Sequence, residues 1–319
     1  MELQIIDIEL FSQILQSVCT EPSQTVNFLI KEHQIDLVSI SRDKQLFAKA
    51  TLYLGDMENV AQTQNMTQTQ TQSAGVPVRK QSLFRQNFVD NPCAHFTVQQ
   101  KQLLQAVQSL LKLKRAVSSL QILPGTYSMQ IPQESQQDLI FSAHCLIQFP
   151  EQSELKTVIT VQLQQYIDLL QLKFISTNQP LCLVLSKNYF TNLIDSIQVQ
   201  KTSSVILQFS SSQIEANQQA NIKLGLVLES QGAISSAELP FSFASAQKSW
   251  LLSVKSYQDT ELTVLGNQFK QLNDSVKKID AEQLMMVVSE GSEIMLKIYA
   301  NMGEFQVGSA FWVLVQQSE

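Results

Sequence analysis

Apolar and polar residues alternate, or short β-branched runs recur, over most of this chain. Such segments predict strands at Thr25–Lys31, Gln34–Ser41, Leu46–Leu54, Ala116–Leu123, Thr126–Ile131, Leu139–Phe149 and Thr157–Leu163. The second half continues the style at Ser204–Ser210, Ile222–Gln231, Ala233–Phe243, Ser249–Tyr257, Leu284–Ser289, Glu293–Ala300 and Phe305–Gln316. Breaks such as Pro124-Gly125, Gln231-Gly232 and Glu290-Gly291 separate neighbours. Short strands at this density predict an α+β fold built on antiparallel sheets.

Only four segments carry a helical period. They are Phe11, Ile14, Leu15, Val18; Leu103, Leu104, Val107, Leu110, Leu111; Phe190, Leu193, Ile194, Ile197; and Phe269, Leu272, Val276, Ile279. Each has one apolar face to lay on a sheet. Their starts, near residues 9, 99, 187 and 267, are roughly evenly spaced, and each is followed by strands. The pattern predicts one helix-plus-sheet unit used four times, two per domain. Domains are expected at 1–155 and 176–319, joined by a connector at 156–175, with a polar loop at 56–82. That loop, rich in Gln-Thr alternation, reads as a mobile surface insertion or as a partner-specific arm, because Arg79, Lys80 and Arg85 follow.

Composition narrows the function. The 319 residues include 22 basic and 28 acidic side chains, for a net charge of -6. Hydrophobic residues, at 44%, suffice for a core, so the chain is not expected to be disordered. A globally basic nucleic-acid coat is excluded, and any phosphate binding must come from local clusters. Glutamine, roughly one residue in seven, carries the polar balance. The acidic opening, Met1 to Asp7, lacks the basic region of a signal peptide, and no apolar run reaches membrane-spanning length. Cys19, Cys93, Cys145 and Cys182 are far apart, which predicts free thiols in a reducing, intracellular setting.

No phosphate loop, nucleophile elbow or paired-acid metal motif occurs. His33, His95 and His144 have no metal-ligand spacing, and His144 and Cys145 would point to opposite faces of a strand. The expectation is a protein that is not an enzyme and holds no metal or cofactor. The clearest binding signal is the polar face of the second helix: Lys101, Gln105, Gln108, Lys112 and Arg115, with no acid among them and Lys114 beside them. The fourth helix exposes Lys270, Gln271, Asp274, Lys277 and Lys278, and the third offers Lys187 against Asp195. The first has Asp7 and Glu9 and no base. From these residues alone, a non-DNA β-rich adaptor and a nuclease using scattered acids stay open.

A resemblance adds to this reading. The opening helix Ile8–Cys19, strand Val26–Ile30, the run Ile35-Asp36-Leu37-Val38-Ser39-Ile40-Ser41 and the apolar strand Leu46–Leu52 resemble the start of DNA sliding clamps. Leu170–Ile175, Leu181–Val184, helix Lys187–Ile197 and the block from Asn267 to Leu314 look most like the Rad nine subunit of the nine-one-one checkpoint clamp. The resemblance spans nearly the whole chain but has no signature motif. Those subunits carry a phosphorylated tail after the clamp body, whereas this sequence ends at Glu319, which puts tail-dependent signalling in question.

The resemblance implies a subunit of a ring around duplex DNA, acting in the damage checkpoint and repair in the nucleus. Its partners would be two other clamp-like subunits in a heterotrimer, a clamp loader and peptide-bearing repair proteins. The pore residues would be Lys101, Lys112, Lys114, Arg115, Lys187, Lys270, Lys277 and Lys278. A partner-peptide pocket would involve Ile40, Leu169, Leu170 and Val313. Ring-closing edge strands would be Leu139–Phe149 and Ala233–Phe243.

Overall fold

A computed structural model describes residues 2–19, 25–31, 33–56, 84–86, 94–117, 122–132, 137–147, 153–165, 178–196, 204–212, 221–230, 233–240, 251–256, 258–291, 293–302 and 307–316. The chain forms two compact units. The first comprises Met1–Ser39, Ala50–Leu169 and Met302–Ser309; the second comprises Ile40–Lys49, Leu170–Asn301 and Ala310–Glu319. Residues 156–164 of the expected connector are strand, and residues 166–175 lie outside the described set, as does the polar loop from residue 57 onward.

The element order repeats one theme. In the first unit it runs β1 (Glu2–Ile5), α1 (Ile8–Val18), β2 (Thr25–Lys31), β3 (Gln34–Ile40), β4 (Leu46–Asp56) and a short β5 (Phe84–Gln86). It continues with β6 (Ala94–Gln99), α2 (Gln100–Val117), β7 (Ile122–Gln130), β8 (Asp138–Ile147) and β9 (Ser153–Gln164). The second unit has β10 (Asn178–Ser186), α3 (Lys187–Ser196), β11 (Ser204–Ser212), β12 (Asn221–Ser230), β13 (Ala233–Pro240) and β14 (Leu251–Ser256). It closes with β15 (Thr260–Leu265), α4 (Gly266–Lys278), β16 (Gln283–Glu290), β17 (Ile294–Met302) and β18 (Gly308–Val315). With β5 and β14 set aside, this is strand, helix and three strands, four times over.

Pairing interlocks the repeats within each unit. The leading strand of each repeat leaves its own sheet and joins the first strand after the other helix: β1 with β7, β6 with β2, β10 with β16 and β15 with β11, all antiparallel. In the first unit the order is β3-β2-β6-β9-β8-β7-β1-β5. In the second, one sheet runs β14-β10-β16-β17-β18 followed by β4, whose Leu46–Lys49 belongs here, and the other runs β13-β12-β11-β15.

Among the described residues the helices lay apolar side chains on the sheets. Phe11, Ile14, Leu15 and Val18 of α1 are buried, as are Leu103, Ala106, Val107 and Leu110 of α2. Phe11 meets Phe84 edge-on at 5.0 Å, and Phe28 stacks on Phe96 at 4.8 Å. In the second unit Phe269, Leu272 and Val276 fill the same role, and Tyr299 stacks on Phe311 at 4.5 Å. The faces read from the sequence for α1 and α4 are buried, Leu104 and Leu111 of α2 are half-buried, Phe190 and Ile194 of α3 are buried, and Ile197 lies outside the described residues.

Three expectations change. Ala116 and Val117 belong to the last turn of α2 rather than to a strand. Pro124-Gly125 does not break the chain: β7 runs through it, with a register shift between Leu123 and Thr126. Pro has no N–H to donate, and a bulge is where a sheet tolerates it. The third change concerns Leu139–Phe149, which is no edge, because β8 is paired on both sides, to β7 and to β9.

Candidate nucleic-acid interface

Helix α1 opens on Asp7, whose Oδ1 accepts from the backbone N–H groups of Glu9 (2.9 Å) and Leu10 (3.1 Å). The acid at the head of α1 is thus an N-cap, satisfying donors that the helix cannot. The buried Ser39 hydroxyl, from β3, donates to the Val18 carbonyl at the other end (2.6 Å). Glu9 in turn meets Lys114 of α2 at 3.7 Å. That contact sets the start of α1 against the end of α2, so the two helices run antiparallel.

Helix α2 lays its apolar stripe on the sheet and exposes Lys101, Gln105, Gln108, Ser109, Lys112 and Arg115. Lys101, Lys112 and Arg115 have no ion-pair partner among the described residues. The exposed face therefore presents three uncompensated cations interleaved with amides and a hydroxyl, groups that can donate to phosphate oxygens.

The α3–α4 pair is built the same way and balanced differently. Lys187, in the first turn of α3, donates through Nζ to the Lys277 carbonyl (3.0 Å) and to that of Ile279. These are orphan carbonyls at the end of α4, and an ammonium there satisfies them and complements the helix dipole. Burial pushes the Lys187 ammonium below its ordinary pKa, with Asp280 opposing that shift. Near the other end of α3, the Asp195 carboxylate accepts from Asn273 Nδ2 (3.0 Å) and pairs with Lys277 Nζ (2.5 Å). Of the second unit's four candidate lysines, Lys270 and Lys278 alone are exposed without a partner among the described residues.

No family model matches the chain, and no curated protein matches it. Solved structures do. The PCNA2–PCNA3 complex of Sulfolobus tokodaii aligns at a TM-score of 0.61 with 14% identity over 100% of both chains. PCNA from Thermococcus kodakaraensis gives 0.62 with 11% identity over 99% of each. Proliferating Cellular Nuclear Antigen from Entamoeba histolytica gives 0.62 with 9% identity, over 99% of this chain and 98% of that one. This is the fold of the PCNA-type sliding clamps. Identity this low speaks to fold, which the four-fold repeat and its swapped leading strands make specific.

Within that clamp fold the remaining candidates fall as follows. Ile40 is half-buried and Val313 fully buried, a core position; Leu169 and Leu170 lie outside the described residues. Among the described residues β9 is open along most of one side, one strand over from the segment expected. It pairs with β8 from Ser153 to Gln162, while β6 meets only Leu163 and Gln164. Near that edge Leu146 and Val158 are more than half exposed. In the second unit β13 ends its sheet, paired among the described residues to β12 alone, and residues 241–243 of the expected strand lie outside the described set.

His144 points outward to Glu154 Oε1 at 2.8 Å, whereas Cys145 is buried, as strand alternation requires. Cys19, Cys145 and Cys182 form no disulfide among the described residues, and Cys93 lies outside that set. Among the described residues no group of three His, Cys, Asp or Glu side chains could hold a metal, and no helix is long and apolar enough to cross a membrane. Sequence reasoning missed Glu9–Lys114, Lys187 on the end of α4, and Asp195 with Lys277. Each joins residues on different helices, and no sequence spacing signals such a contact.

Proposed function

We propose that this chain is a non-catalytic subunit of a ring-shaped clamp that encircles duplex DNA without reading its sequence. The observation that carries the reading is the acid-free exposed face of α2, on a clamp fold, in a protein of net charge -6. Lysine, arginine and glutamine side chains in that arrangement hold phosphates loosely, release counterions and leave base edges alone. The decisive variant is Lys101→Ala, Lys112→Ala and Arg115→Ala together. It weakens retention on duplex DNA equally for unrelated sequences and flattens the salt dependence by about one unit per side chain. Unchanged retention overturns the reading and leaves a non-DNA adaptor as the better account.

Within that reading, the Rad nine resemblance of the connector and closing blocks supports a subunit of a nuclear checkpoint clamp. It would share a ring with two other clamp-like chains, be placed by a clamp loader and scaffold repair proteins that carry docking peptides. The PCNA2–PCNA3 structure is itself a complex of two different clamp chains, which is consistent with a mixed ring. Another checkpoint-clamp subunit is an alternative within that reading; a replicative processivity clamp is the second reading, favoured by the three solved structures named above, all PCNAs. Oligomeric state separates the two.

A further inference from the structure

We infer that Asp195 attenuates the DNA grip of the second unit by holding Lys277 out of use. This rests on the DNA-clamp reading and names a residue that tunes it. The two helix pairs carry equal numbers of cations, Lys101, Lys112, Lys114 and Arg115 against Lys187, Lys270, Lys277 and Lys278. Among the described residues Lys101, Lys112 and Arg115 of the first set have no ion-pair partner; in the second, Lys187 is committed to the end of α4 and Lys277 to Asp195. Asp195 is itself oriented by Asn273 Nδ2 at 3.0 Å, so the carboxylate is held toward Lys277 rather than left free to rotate. Asn273 is buried, which fixes the donor. For Lys277 to reach a phosphate it must leave that carboxylate, which then faces the DNA as an uncompensated negative charge. Unit one therefore grips, and unit two stays loose.

The test uses the full-length chain and a labelled 30-base-pair duplex of mixed sequence, read by fluorescence anisotropy between 50 and 200 mM salt. Asp195→Asn is near-isosteric, and its Oδ1 can still accept from Asn273. It is expected to bind more tightly and to steepen the log-log salt slope by about one unit, so that a fourfold rise in salt costs it about 3.5-fold more than the native chain. Adding Lys277→Ala to Asp195→Asn is expected to abolish that gain. On the native background, removing the pair together by Lys277→Ala with Asp195→Ala is expected to leave binding as it was, whereas Lys270→Ala weakens it, a comparison that does not depend on the Asp195→Asn variant. Glu293→Gln, an exposed acid at the turn between β16 and β17, removes the same charge away from the helices and is expected to change nothing.

An Asp195→Asn chain that binds no tighter, or a Lys277→Ala, Asp195→Ala chain that binds more weakly than the native one, overturns the inference while Lys101→Ala still weakens binding. If Lys101→Ala and the Asp195 variants are all without effect, the DNA reading itself has failed, and the inference with it.

Discussion

Gly308 shows how little room a single residue has where two strands approach. A Cβ built there would sit 2.2 Å from the Thr51 carbonyl oxygen, 2.8 Å from Met302 Cε and 3.2 Å from Leu52 Cα. The Met side chain can yield, but the backbone oxygen cannot without parting β18 from β4. Gly308→Ala is therefore expected to lower stability by about 2–3 kcal/mol, as overpacking a close contact does. The check is a fall in the denaturant midpoint at unchanged m-value; an unchanged midpoint refutes it. Nothing in the local sequence singles out Gly308 from the other glycines, because the constraint comes from Thr51, far away in the chain. Lys101, Lys112 and Arg115 were legible for the opposite reason. A stripe along one helix is set by its own period, so exposure follows from the sequence alone.

At the scale of elements, the four helices were legible and the strands in front of them were not. β1, β6, β10 and β15 are absent from the strands read from alternation. Three of them run straight into a helix, Gln99 into Gln100, Ser186 into Lys187 and Leu265 into Gly266, with no residue between strand and helix to separate the two periods. Those strands interlock the repeats, so the missing elements were the ones that define the topology. How helices end was equally hidden. α4 has no side-chain cap at its start, and its last carbonyls depend on Lys187 from α3. Lys187→Met keeps the side chain's length and removes the donor. It is expected to cost about 1–2 kcal/mol, from orphaned carbonyls and a lost charge–dipole contact. Hydrogen exchange should quicken in the last turn of α4, while the salt slope of DNA binding barely moves. A flatter salt slope with unaltered stability would return Lys187 to the phosphate-contacting set.

At the scale of the molecule, even helix spacing showed that one unit is used four times, yet it could not say which edges stay open. Among the described residues β9 is open because β6 reaches it only at Leu163 and Gln164, and β13 is open because its sheet stops there. Free edges with unpaired backbone groups invite another strand, and partner choice then rests on side chains. β9 exposes Glu154 and Lys156, one charge of each sign, and the sequence of β13 holds a single charged residue, Glu238. Set edge to edge, two copies gain at most one opposite-charge contact and face one like pair, so electrostatics give no preference for self-association. Backbone hydrogen bonds and the exposed Leu146 and Val158 can bind any clamp-like edge of matching shape. The isolated chain is therefore expected to run as a monomer at micromolar concentration and to close a 1:1:1 ring only with two different clamp-like chains. Light scattering on the purified protein decides it: a stable particle of about 108 kDa, three times the 35.9 kDa chain, is a closed homotrimer and makes the replicative reading the correct one.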